Sequence, residues 1–153
     1  MRGHEIQFGG TALSPTGCFC KIESLRIEPQ SLRFTEYWPV NSYYSIRRVT
    51  GINPAKIEVV VKYYYDDIDV YNSVVLPMIN SLISNMLQNT EYKGELKIRR
   101  CSSGSWKSFG NVRFIAAEVT GTDQAVNRYG VNGASGWSGI CSVRYTFERR
   151  GDE

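Results

Sequence analysis

The side chains best suited to chemistry in this chain are one histidine, four cysteines and an acidic run behind three consecutive tyrosines. His4 is the sole imidazole, so any Ser-His-Asp or Cys-His machinery would have to be built on it. It lies near the start of the chain, where segments commonly fray, and is expected to serve no catalytic array. Asp66 and Asp67 form an acid pair, but adjacent side chains on a strand point to opposite faces and cannot converge on one glycosidic bond. Together with Asp69 they are expected to offer N-cap acceptors to a following helix. Cys18 and Cys20 have C-x-C rather than C-x-x-C spacing, and Cys101 and Cys141 stand alone. Their reading is as reduced thiols, with Cys141 on the inward face of the last strand; a four-thiolate metal site is the alternative. "GVNGASG", Gly130 to Gly136, lacks the Lys-Ser/Thr of a phosphate-binding loop and joins no strand to a helix, so it reads as a flexible tip. The expectation is a protein with no catalytic residue, no metal and no cofactor, and therefore not an enzyme.

The elements that would position these residues can be read from periodicity. Ile57, Val59, Val61, Tyr63 and Tyr65 alternate with Glu58, Val60, Lys62 and Tyr64, which is a strand with one buried face. Beyond Asp69 the period changes. Tyr71, Val74, Val75, Met78, Ile79, Leu82, Ile83, Met86 and Leu87 recur at steps of three and four, predicting an amphipathic helix over about residues 70–88. Pro77 must then sit in its first turn or kink it. Before this point, "CFCKIESLRIEP" and "SLRFTEYWPV" are strand-like runs broken at Pro29 and Pro39. After it come a strand around Leu96 and Ile98, a turn at "SSGS", and a strand over Phe109 to Val119 whose alternation slips at Ala116-Ala117 like a bulge. A final strand turns Cys141, Val143, Tyr145 and Phe147 one way. The reading is one α+β domain over residues 1–153, mainly antiparallel sheet with one principal helix.

Two segments, residues 30–56 and residues 120–139, are poorly explained as internal core and read as extended loops. Both are spotted with aromatic and basic residues and look like interaction arms. Composition narrows what they contact. At 153 residues and 42% hydrophobic content the chain can build one core. A net charge of +3 is mild for a DNA-coating protein, whose cations would cluster on one face. No stretch reaches the roughly 18–20 apolar residues of a membrane span, the first residues lack a secretory h-region, and the predicted helix has no lysine or arginine on its polar face. A cytosolic site of synthesis and no membrane span are expected.

Nucleic-acid binding is the second reading. Tyr63 to Tyr65, with Tyr43, Tyr44, Arg47 and Arg48, would set stacking rings beside cations. Alternation buries Tyr63 and Tyr65, however, and the adjacent acids would repel phosphate.

The order of elements adds a family. The strand "INPAKIEVVVKYYY", the helix, "GELKIRR", a turn, "FGNVRFIAAEVTG", a glycine-rich loop and "SGICSVRYTFERR" resemble the tail-tube fold of long-tailed bacteriophages. The opening "IQFGGTALSPTG" is similar to the "DG-x-x-LS-x-x-G" start of distal tail proteins, with Gly9 in place of the acid. The resemblance implies a β-sandwich or barrel with a flanking helix, and a structural virion protein. It would assemble in the host cytoplasm as a hexameric ring of the tail tube or distal tail and baseplate. Partners would be further copies of itself, adjacent tube, baseplate or terminator proteins, and genome DNA passing through the lumen without sequence-specific contact. Interface candidates are Trp38, Tyr43, Tyr44, Arg47 and Arg48 in the first arm and Arg128, Tyr129 and Trp137 in the second.

Overall fold

A computed structural model describes residues 3–15, 18–41, 43–65, 70–89, 91–124 and 139–149. The strands are β1 (Glu5–Phe8), β2 (Thr11–Ala12), β3 (Phe19–Glu28), β4 (Ser31–Tyr37), β5 (Ile46–Asn53), β6 (Ala55–Tyr65), β7 (Lys93–Arg99), β8 (Lys107–Gln124) and β9 (Gly139–Arg149); the helix α1 (Leu76–Gln88) lies between β6 and β7. Seven strands form one sheet in the order β2-β1-β7-β8-β9-β6-β3, every ladder antiparallel, and β4 with β5 forms a separate ribbon. The α+β, mainly antiparallel architecture with one helix is therefore present.

Burial follows the period-two reading closely. Ile57, Val59, Val61, Tyr63 and Tyr65 of β6 are buried, as are Cys141, Val143, Tyr145 and Phe147 of β9. The two strands pair along their whole length, with Tyr63 opposite Cys141 and Val59 opposite Tyr145. Phe8, Tyr92, Phe114 and Phe147 pack ring on ring, Phe8 meeting Tyr92 edge-on at 5.1 Å and Phe147 at 5.1 Å between centroids. Such offset and edge-to-face contacts add to the area that these rings bury. The slip in β8 is real: its register against β9 shifts between Phe114 and Ala116, and again between Val119 and Gly121. An extra residue at each shift lets so long a strand bend and twist while keeping its apolar face inward.

The helix covers this core with Val75, Ile79 and Leu82. Tyr71, Met78, Ile83 and Met86 pack beside them, while Leu87 stays exposed. Its first turn is π-helical over Tyr71–Val75, and Pro77 follows in the first turn of the α-helix. A proline there has no N–H to give the carbonyl one turn back, so a wider turn before it relieves the ring's clash. No side chain caps the helix at Val70. Asp66, Asp67 and Asp69, expected to cap it, lie outside the described residues.

Two expectations are corrected. Residues 30–56 are not an extended loop: β4 occupies the strand-like run that begins "SLRFTEY", and Thr50, Gly51 and Asn53, expected in a loop, lie within β5. Pro54 alone interrupts the chain before β6 begins at Ala55. Nor is the segment 120–139 all loop, because β8 runs on to Gln124 and β9 starts at Gly139; the intervening residues lie outside the described part. In both places strand pairing satisfies backbone groups that a loop would leave to water.

At the centre of the core Tyr63 Oη donates to the Leu13 carbonyl at 2.7 Å and lies 2.6 Å from Tyr145 Oη. With Tyr63 committed to Leu13, Tyr145 is the donor to Tyr63. Replacing Tyr63 by Phe strands two buried polar groups and should cost about 1–3 kcal/mol in chemical denaturation. The double replacement Tyr63→Phe with Tyr145→Phe should cost less than the sum of the single ones, because the second change removes one of the stranded groups.

Candidate functional site

The largest departure from a well-covered surface is the β4–β5 ribbon. Of the thirteen large apolar side chains exposed among the described residues, eleven fall between Leu25 and Ile52, and the other two are Leu87 and Ile115. They are not scattered. Cross-strand pairing sets Leu32 opposite Ile52 and Phe34 opposite Val49, so these four form one continuous apolar face. The register shift between Arg33 and Phe34 keeps them together, since without the extra residue one strand would turn its apolar side over. Arg47 extends the face, its guanidinium 4.8 Å from the Phe34 ring centroid and 3.7 Å from the Glu36 carboxylate. Apart from each other, β4 and β5 pack extensively against no other element. Leu25 and Ile27 of β3 are exposed as well.

Of the sequence-predicted residues, Trp38, Tyr43 and Tyr44 sit in the turn at the tip of the ribbon, with Tyr43 fully exposed. Asn41 there adopts a left-handed backbone (φ 63°), which asparagine tolerates better than most residues. Arg47 and Arg48 open β5 on opposite faces, Arg47 against Phe34 and Arg48 opposite Thr35. Arg128, Tyr129 and Trp137 lie outside the described residues. Leu32, Phe34, Val49 and Ile52 escaped the sequence reading. The signal was there, in the alternation of Leu32 and Phe34 with Arg33 and Thr35, but nothing in the sequence says that both sides of the ribbon face water.

The tyrosine run behaves as alternation requires: Tyr63 and Tyr65 are buried, and Tyr64 is half-buried with its ring 5.9 Å from that of Phe19. It offers no row of stacking rings.

The residues with catalytic potential require a correction. His4 is not a frayed end. Gly3 makes a bridge to Cys20, His4 N–H donates to the Cys20 carbonyl at 2.8 Å, and Ile22 N–H donates to His4 Nδ1 at 2.7 Å. The segment before β1 is thereby seamed to β3, drawing the two margins of the sheet towards each other. His4 and Cys101 also line one cavity. They do not form a nucleophile–base pair: Cys101 Sγ lies 3.3 Å from Ser103 Oγ, and the His4 acceptor nitrogen is taken by Ile22. The Ser103 contact lowers the Cys101 thiol from its ordinary value, with Arg99 contributing less. Burial pushes the Cys18 thiol up to about 11 and that of Cys141 to about 12, making both poor nucleophiles at neutral pH. All four cysteines are free, and among the described residues no group of His, Cys, Asp or Glu is placed to hold a metal. No described helix is long and apolar enough to cross a membrane.

Burial first, then Arg100 and Lys21, lower the His4 pKa below its ordinary 6.5. The folded state thus binds fewer protons than the unfolded chain, so the stability held by neutral His4 is present above about 6.5 and is lost as pH falls through the folded value. Denaturation midpoints should drop between about pH 7.5 and about pH 5.5. The His4→Gln variant, which retains an acceptor but cannot titrate, should flatten that dependence.

No family model matches the chain, and no curated protein matches its sequence.

Proposed function

We propose that the protein is a structural subunit that works by joining copies of itself, as a ring of the tail tube or distal tail of a long-tailed bacteriophage. The observation that carries this reading is the β4–β5 ribbon, which holds a continuous apolar face of Leu32, Phe34, Val49 and Ile52 away from the core. An isolated two-stranded ribbon is marginal in water, and an exposed apolar patch of this kind is stabilised by a partner surface. A second feature supports it. The N-terminal seam covers β3 only near Cys20 and Ile22, and from Glu23 to Glu28 no further described strand pairs with its outer margin. Open margins of this kind pair with other chains, and ring closure removes them. The ribbon would clasp a neighbouring subunit or the next ring, and no bond-making chemistry is required of the protein.

The full exposure of Tyr43, beside Tyr44 and the exposed Arg48, favours a second reading, in which the ribbon tip stacks on single-stranded nucleic acid. Arg47 is less suited to that role because Phe34 and Glu36 already engage it.

Light scattering and negative-stain imaging separate the two. Self-assembly predicts rings or tubes whose formation depends on concentration. Replacing Phe34 and Ile52 together by Glu should weaken association by about thirtyfold or more while leaving the melting of the body unchanged. A monomer at every concentration, unaffected by these changes, would overturn the assembly reading. Binding of an oligonucleotide that weakens with salt and disappears in Tyr43→Ala would establish the alternative.

A further inference from the structure

Behind the His4 seam lies a cavity of about 1080 Å3 whose walls include His4, Phe19, Lys21, Tyr64, Arg99 and Arg100. Its charge is one-sided. Glu5 supplies a carboxylate, but Arg99 binds it at 2.7 Å across the β1–β7 ladder and is itself stacked on Trp106 at 4.3 Å. Lys21 and Arg100 face His4 closely enough to disfavour its protonation, and neither has a carboxylate partner among the described residues. Because Nδ1 accepts from Ile22, a neutral His4 must carry its proton on Nε2, as a donor with no acceptor among the described residues. His4, Lys21 and Arg100 thus line one cavity, whose one described carboxylate, Glu5, is engaged by Arg99. Two rings also line the cavity: Phe19 and Tyr64, both partly exposed, meet edge to face. The volume suits an organic ligand rather than a bare ion.

We propose that this cavity is a binding site for a nucleoside phosphate, with the phosphates on Lys21, Arg100 and His4 and the base against Phe19 and Tyr64. A guanidinium and an ammonium are the usual partners of phosphate oxygens, and aromatic faces take bases of any sequence. The site is at the other end of β3 from the apolar ribbon, so it stands independently of assembly. The remaining groups around His4 are Glu5 on its own strand, Cys20 on β3, Cys101 after β7, and Lys107 of β8 across a smaller adjoining cavity. Only Glu5 among them is acidic, and it is engaged by Arg99.

His4 is the single histidine, so its imidazole C–H signals in the full chain report on this site alone. Titration with ADP should move them saturably and raise the His4 pKa, because a bound phosphate favours the imidazolium that Lys21 and Arg100 disfavour. Lys21 and Arg100 are exposed, so Lys21→Gln and Arg100→Gln should fold normally, and each should weaken ADP by about tenfold or more. Pyrophosphate should bind more weakly than ADP, and equal affinity would overturn the role given to the rings. A single-stranded oligonucleotide that displaces ADP from His4 makes a strand the source of the phosphate; failure to displace it makes the free nucleotide the source. His4 signals that ignore ADP, or an ADP response undiminished in both variants, would overturn the proposal.

Discussion

A pair of phenol oxygens 2.6 Å apart, sealed from water between β6 and β9, sets much of the geometry of this protein. Buried hydroxyls are expensive unless each has a partner, and here satisfaction depends on a carbonyl from elsewhere, that of Leu13. The chain must therefore bring the loop after β2 into the centre of the core. That demand places β1 against β7, with Glu5 opposite Arg99, and leaves the residues before β1 next to β3. The buried thiols of Cys18, Cys20 and Cys141 flank the tyrosines, and the same lack of water raises the pKa values of the phenols. Packing rather than reactivity accounts for those three cysteines.

The same alternation of apolar and polar residues has opposite outcomes in two parts of the chain. In β6 and β9 the apolar face meets the helix and the aromatic cluster. In β4 and β5 an equally regular face of Leu32, Phe34, Val49 and Ile52 stays exposed and packs extensively against no other described element. Cross-strand pairs and the Arg47–Phe34 contact give the ribbon local order, but such pairs contribute only about 0.2–1 kcal/mol each. In the proposed assembly the remaining driving force would come from another surface. A protein that stored this much apolar area on an arm without a partner would be prone to aggregate. The self-assembly proposed above would cover this arm.

The seam at His4 shows how a sheet margin can be covered economically. One bridge and two hydrogen bonds, one of them to an imidazole, occupy the Cys20–Ile22 part of β3. By closing there, the seam gathers Lys21 and Arg100 around a cavity that Phe19 and Tyr64 also line, while from Glu23 to Glu28 no further described strand pairs with the outer margin of β3. A structural closure and a cation-lined cavity are two consequences of one register.

The sequence by itself determined the parts whose period matches a buried face. β6, β9 and the helix are legible because their inward residues return every two or every three to four positions, and the core admits no other orientation. The bulge in β8 was legible for the same reason, as a fault in an otherwise regular pattern. Only the tertiary structure decided the rest. Ser31 to Tyr37 is strand-like in sequence, but Ile46 to Asn53 is not; the two strands pair with each other and bury no face, so no inside–outside contrast marks the second one until its partner is known. His4 owes its role to Cys20 and Ile22, some sixteen to eighteen residues away, and to Arg100, nearly a hundred away. Periodicity reports which side of an element avoids water; which distant groups share that side depends on register and closure, and these are set by the fold as a whole.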